Sequence, residues 1–241
     1  MEERILGKNA LLRMLSELEN YESDEEDMLT AYITPQNPSL LLKLPDSIRD
    51  FIEKILPRHP LGIVLFHWQQ KNISTVIFPP FPIVDETFFD RKFKTDQLRE
   101  IFEREYKLGI ILLSLGEYAI GIFESKKLIA SKCGKRFLRG KHKKGGSSQA
   151  RFARARKANI EIFFNEVYGI LKGKMEPHIS NLDYVIYGGV KITIRNFQKR
   201  DHFMKKLSEK TLDRIIDVHD ISKKVLEDIL FEVWRTRILQ L

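Results

Sequence analysis

Leu11, Leu12, Leu15 and Leu18 recur at helical spacing, so the chain opens with an amphipathic helix. Leu29 to Ile33 reads as a strand stopped by Pro35. After Pro45, Asp46 or Ser47 can cap a helix whose apolar positions Ile48, Phe51, Ile52, Ile55 and Leu56 keep the i, i+3, i+4, i+7, i+8 pattern. The unbroken apolar runs Leu61 to Phe66 and Ile73 to Phe78 predict paired strands, the second ended by Pro79, Pro80 and Pro82. With a bridging helix near Thr95 to Tyr106, residues 1–105 make a small α/β domain of ordinary size.

The pattern then restarts. Leu108 to Leu113, a turn at Gly116-Glu117, Tyr118 to Ile122 and Leu128 to Ala130 are three short strands at close spacing, an antiparallel meander. A basic stretch leads into a long helix beginning near Ser147 or Ser148, with Ile160, Phe163, Phe164, Val167 and Leu171 on one face. Phe152 and Ala155, nearer its start, are expected to pack that helix onto the sheet. Leu182 to Tyr187 forms a strand ending at Gly188-Gly189. A helix, a strand over Ile215 to Val218 and a helix over Ser222 to Trp234, with Val225, Leu226, Ile229 and Val233 inward, follow. The expected fold class is α/β: a mixed-sheet domain over 106–241, carrying a mobile basic loop at 132–149, preceded by the smaller α/β domain.

Charge changes the picture most. Of 41 Lys and Arg residues, thirteen lie between Lys126 and Lys157, where there is no Asp or Glu. The rest of the chain holds 28 basic against 33 acidic residues, so the whole net charge of +8 comes from this stretch. Clustered cations release condensed counterions on meeting a polyphosphate, which points to a nucleic-acid partner. Glu22, Asp24, Glu25, Glu26 and Asp27 form an acidic patch that reads as a solvated loop. Cys133 is the single cysteine, which excludes an internal disulfide and a Cys-rich zinc site. No acid nearby completes a nucleophilic constellation around it, and it reads as incidental. No apolar run approaches the roughly 20 residues that cross a bilayer, and Met1-Glu2-Glu3-Arg4 lacks the layout of a secretory signal, so a cytoplasmic protein is expected.

Inside the basic stretch sits Gly145-Gly146-Ser147-Ser148-Gln149. Glycine pairs let backbone approach backbone, because they lack the Cβ that forbids it. Ser147 or Ser148 at a helix start can cap free amides, and the same terminus offers donors and a positive dipole end to an anion. Arg151, Arg154 and Lys157, spaced by three, stand on about one face as a phosphate rail. Gln149 carries donor and acceptor but is no general base at neutral pH, so it can only orient. Singly, each feature has a plainer reading. A basic run is also a solvated face, Gly-Gly a turn, Gln149 a surface helix residue and His142 one more polar contact; their joint occurrence carries the signal.

Gly145-Gly146, four residues, then Arg151-Phe152-Ala153-Arg154-Ala155-Arg156 resembles the central domain of the class-I polypeptide release factor of eukaryotes and archaea. That family carries Gly-Gly-Gln, three residues, then Arg-Phe-Ala-Arg-Leu-Arg. Lys141-His142-Lys143-Lys144 is similar too, and Lys92-Phe93-Lys94-Thr95 with Leu98 matches the family's Lys-Phe-x-Thr-x-x-Leu, so the resemblance spans about residues 92 to 235. Ungapped alignment puts Ser147 where the family has its Gln, two positions before Gln149. Gly146-Ser147-Ser148-Gln149 is instead similar to the Gly-x-x-Gln of the release-factor-like domain in eukaryotic ribosome quality-control proteins, typified by the ankyrin-repeat and zinc-finger peptidyl-tRNA hydrolase. Lys71-Asn72-Ile73-Ser74 is a scrambled near-match to the release factor's stop-codon loop, and its place at a strand start marks it as coincidence.

The resemblance implies codon-independent hydrolysis of the peptidyl-tRNA ester on stalled ribosomes or large subunits. Gln149, with Gly145, Gly146 and Ser147, would form the catalytic loop. Lys141, His142, Lys143, Lys144, Arg151, Arg154, Arg156 and Lys157 would hold RNA. Expected partners are the large ribosomal subunit, ribosomal RNA and peptidyl-tRNA, with no metal, no cofactor, no membrane and no GTPase partner, and the chain is expected to act as a monomer. Two alternatives stand beside it: an endonuclease cutting the tRNA 3′ end, and a non-catalytic ribosome-binding factor.

Overall fold

The computed structural model describes residues 1–21, 27–138, 148–199 and 202–241. The elements run β1 (Glu2–Leu6), α1 (Lys8–Glu19), β2 (Met28–Ile33), α2 (Asp46–Ile55), β3 (Ile63–Trp68), β4 (Ile73–Phe78), β5 (Thr87–Asp90) and α3 (Asp96–Glu103). They continue with β6 (Lys107–Ser114), β7 (Glu117–Glu124), β8 (Lys127–Lys135), α4 (Ser148–Met175), β9 (Tyr184–Gly189), α5 (Lys191–Gln198) and α6 (His202–Ser208). The last are β10 (Thr211–Ile216), α7 (Lys223–Asp228), α8 (Leu230–Val233) and β11 (Thr236–Gln240). Contacts divide them into two units, Met1–Arg104 with Phe231–Leu241, and Glu105–Leu230.

The first unit is built on a six-stranded antiparallel sheet in the order β1-β11-β4-β3-β2-β5. Leu29, Ala31 and Ile33 of β2, with Ile63 and Leu65 of β3, turn one way and pack under Ile48 and Ile52 of α2. Residues between them turn the other way: the Thr30 hydroxyl donates to the Lys92 carbonyl at 3.2 Å, and the Tyr32 hydroxyl donates to the Lys94 carbonyl at 2.8 Å. Burial on both faces explains why β2 and β3 read as continuous apolar runs. The Lys92-Phe93-Lys94-Thr95 segment is thereby pinned to this sheet. Phe93 packs edge-on to Phe66 at 5.4 Å, Thr95 hydrogen-bonds Glu19, and Leu98 is fully buried. That motif is packing in the first unit.

The second unit holds a five-stranded sheet in the order β10-β9-β6-β7-β8. β10, β9 and β6 are parallel, while β6, β7 and β8 form the antiparallel meander, so the sheet is mixed. Phe163, Phe164, Val167, Leu171 and Met175 of α4 lie against Ile111, Leu113, Ile120, Ile122, Val185 and Tyr187 of the sheet. Each such buried side chain contributes roughly 1.5–3 kcal/mol.

Several elements differ from the sequence expectation. Asp46 is not a cap: Pro45 holds that position, and Asp46 sits in the first turn of α2, paired with Arg49 at 2.6 Å. The strand expected over 215–218 is Thr211–Ile216, its pairing interrupted between Thr211 and Ile215, so only its last residues look strand-like in sequence. The single helix expected over 222–234 is two short helices, α7 and α8, with Ser222 capping the first through the Val225 amide. The larger domain was expected to run 106–241, but β11 lies between β1 and β4 of the first sheet. β1 and β5 were unforeseen as well. β1 is Glu-Glu-Arg-Ile-Leu with four of five residues exposed, an edge strand held by backbone bonds that leave no apolar alternation to read.

His59 lies against Phe78, ring centroids 4.0 Å apart and planes tilted by 41°, and its Nε2 accepts from Arg237 Nη2 at 2.8 Å. Burial, with Arg237 and Arg58 adding repulsion, pushes its pKa from 6.5 down to about 4. Between those values the unfolded chain binds more protons than the folded one, so this group makes stability rise with pH across the window. Urea midpoints between pH 4 and 6.5 should climb more steeply for the native chain than for His59→Gln, which keeps an acceptor but does not titrate.

Candidate functional site

The base of the basic stretch is fixed by close packing at the end of β8. Tyr118 lies opposite Gly134, where an added Cβ would come within 2.4 Å of the Tyr118 hydroxyl oxygen. Glycine there lets the ring lie across β8 and approach Phe163 of α4, centroid to centroid at 6.3 Å. Two residues on, the Arg136 amide donates to the Gly116 carbonyl at 2.7 Å, in a turn where Gly116 holds φ +93°. The Arg136 guanidinium pairs with Glu166 of α4 at 3.1 Å, and Leu138 packs against the core. Lys132 to Lys135, expected within the mobile loop, belong to β8.

α4 has 28 residues, about 42 Å of helix, while the eight residues of β6 or β7 cover about 26 Å. The helix outruns the sheet. No residue from 149 to 162 is buried, and the first that is, Phe163, lies about 20 Å of helix rise beyond Gln149. Phe152 and Ala155 are therefore not core: Phe152 is 43% exposed and Ala155 is exposed, both lying before the first buried position of α4.

At about 100° per residue, Gln149 and Arg156 share the side of α4 that further along packs on the sheet, whereas Arg151 and Arg154 point roughly the other way. Gln149 is exposed in the first turn, and Arg151, Arg154 and Lys157 are exposed behind it. The first-turn amides lack intrahelical acceptors and stand at the positive end of the helix dipole. No acid occupies that turn, whereas Lys172 and Lys174 occupy the last, where the dipole favours them. Cations near the start cost roughly 0.3–1 kcal/mol each. Among the described residues no ion pair ties Arg151, Arg154 or Lys157 to a carboxylate. At the base, by contrast, Lys135 pairs with Glu117 at 2.8 Å and Arg136 with Glu166. Cys133, half-buried on β8, has its thiol pKa raised by burial, which works against nucleophilic use.

Lys141, His142, Lys143, Lys144, Gly145, Gly146 and Ser147 lie outside the described residues, as do Glu22 to Glu26 of the acidic patch. Among the described residues no group of His, Cys, Asp and Glu is placed to hold a metal ion, and no helix is long and apolar enough to cross a membrane. The sequence reading had not singled out Glu166, Tyr118 or Gly134, which fix α4 to the end of β8. The glycine opposite an aromatic on the neighbouring strand was the available signal.

Residues 106–239 match the family model acVLRF1, described as the Actinobacteria/chloroflexi VLRF1 release factor. The peptide chain release factor subunit 1 of Archaeoglobus fulgidus is 28% identical over 152 residues, covering 63% of this chain and 37% of that protein. The peptide chain release factor subunit 1 of Methanopyrus kandleri is 26% identical over 250 residues, covering 90% of this chain and 60% of that one. The chain thus spans 37% to 60% of the length of these two relatives. Among solved structures, the archaeal translation termination factor aRF1 covers 95% of this chain and 72% of its own, with 19% identity and a TM-score of 0.42.

The overhang has a measurable consequence for stability. Phe163→Ala should cost about 3–5 kcal/mol in denaturant unfolding, as a cavity does, whereas Phe152→Ala, eleven residues earlier on the same helix, should cost about 1 kcal/mol or less.

Proposed function

This chain belongs to the acVLRF1 release-factor family, and we propose that it hydrolyses the peptidyl-tRNA ester of stalled complexes on the large ribosomal subunit, without reading a codon. The observation that carries this reading is the exposed Gln149 in the first turn of a helix whose first fourteen described side chains beyond Ser148 are unburied. An overhanging helix start flanked by arginines fits a narrow, phosphate-lined channel. Arg151, Arg154, Arg156 and Lys157, with Lys141, His142, Lys143 and Lys144 before them, bind RNA. The cost of cations at the dipole's positive end is offset when phosphates arrive.

In the reaction, a water oxygen adds to the ester carbonyl and the bond to the terminal ribose oxygen breaks, that oxygen leaving with a proton. Gln149 orients the water through its amide, and first-turn amides can donate to the carbonyl oxygen as negative charge develops there. Gly145 and Gly146, lacking a Cβ, would permit close approach, and Ser147 follows them in sequence. Placement alone can supply much of the barrier reduction, since well-oriented reactants gain up to roughly 7–11 kcal/mol. The neutral amide fits this division of labour, in which the protein contributes geometry and the surrounding RNA the rest.

The test uses labelled peptidyl-tRNA on isolated large subunits, following both the peptide and the tRNA 3′ end. Native protein should free peptide and leave the CCA end intact. Gln149→Ala should lower release at least about 100-fold, the scale of losing one oriented group at a reacting carbonyl, with subunit binding nearly unchanged. If Ser147→Ala abolishes release and Gln149→Ala does not, the catalytic assignment moves to Ser147. A shortened 3′ end indicates the nuclease, and binding without either product indicates a non-catalytic factor. Arg154→Ala should instead weaken binding and lower the slope of log K against log salt by roughly 0.7–0.9, the loss of one phosphate contact.

A further inference from the structure

At 87% exposure, Phe137 is the most exposed large apolar side chain among the described residues. A phenyl ring left in water forgoes the free energy of apolar burial, so a partner that covers it gains by binding. Its backbone is not loose. Arg136 before it is bonded to Gly116 and paired with Glu166, and Leu138 after it is packed on the core. The ring therefore stands on a fixed base where β8 ends, beside the turn whose tip, Leu115, is 40% exposed.

What covers it follows from its neighbourhood. Phe137 follows Lys135 and Arg136, which pair with Glu117 and Glu166, and it lies in a run of sequence, 126–157, that holds thirteen cations and no carboxylate of its own. An apolar protein face would have to bury those charged neighbours to reach it. One aromatic among cations suits single-stranded nucleic acid, whose bases stack on the ring while phosphates meet the charges. We propose that Phe137 is a stacking platform for an unpaired nucleobase of the RNA bound by the basic stretch. This rests on the RNA-binding part of the function proposed above and is independent of ester hydrolysis.

Full-length protein is titrated with a labelled single-stranded RNA of mixed sequence and, separately, with large ribosomal subunits. Phe137→Ala should weaken binding to both about 5- to 150-fold, as loss of one stacked base does, with the salt slope unchanged. Phe137→Leu should behave like the alanine variant, whereas Phe137→Trp should bind like the native chain, its emission quenched on adding RNA. Native affinity in Phe137→Leu, or a loss confined to subunits while naked RNA binds normally, overturns the stacking role and indicates a protein contact. No RNA binding by the native chain overturns the RNA reading itself; RNA binding indifferent to every change at Phe137 overturns only this proposal.

Discussion

Everything at the candidate site depends on how α4 is clamped. Its second half is held by Phe163, Phe164, Val167, Leu171 and Met175 against the mixed sheet, while no residue from 149 to 162 in its first half is buried. Apolar packing is non-directional, yet here it acts as a mount, because a helix is stiff and its direction is fixed once one end is buried. Gly134, Tyr118 and the Arg136–Glu166 pair tie the end of β8 to the same mount. That ion pair is exposed and contributes at most about 1 kcal/mol. Its value lies in register, since the core supplies most of the stability.

The overhang is built against local stability. Helix termini favour acids at the start and bases at the end; α4 keeps the second half of that rule and reverses the first. With no buried face on residues 149–162, tertiary contacts do little to offset the reversal. Local rules tend to be broken at functional sites, and here the departure is confined to the turns carrying Gln149, Arg151 and Arg154.

Sequence pattern disclosed the fold where burial is one-sided or continuous. The apolar runs of β2, β3, β4, β6 and β7, the face of α2 and the core stripe of α4 are visible because each residue's environment repeats with the period of its element. β1, β5 and β11 were not visible, being four or five residues long and held by backbone bonds to neighbours far away in sequence. Phe152 and Ala155 were misplaced for a different reason: periodicity tells which side of a helix faces inward but not where the sheet beneath it stops. Gln149 was legible as a candidate through the flanking glycines and arginines, whereas its exposure at an unsupported helix start needed the three-dimensional lengths of helix and strand.

β11 has a consequence for how the molecule is made. Among the described residues β1 pairs with β11 alone, and β11 joins it to β4, so the outer part of the first sheet cannot form until the more than two hundred residues that separate β1 from β11 have been synthesised. The second unit, encoded between, has every strand of its own sheet available earlier. During vectorial synthesis β1 therefore waits for β11, exposing an unpaired flank of β4 in the interval.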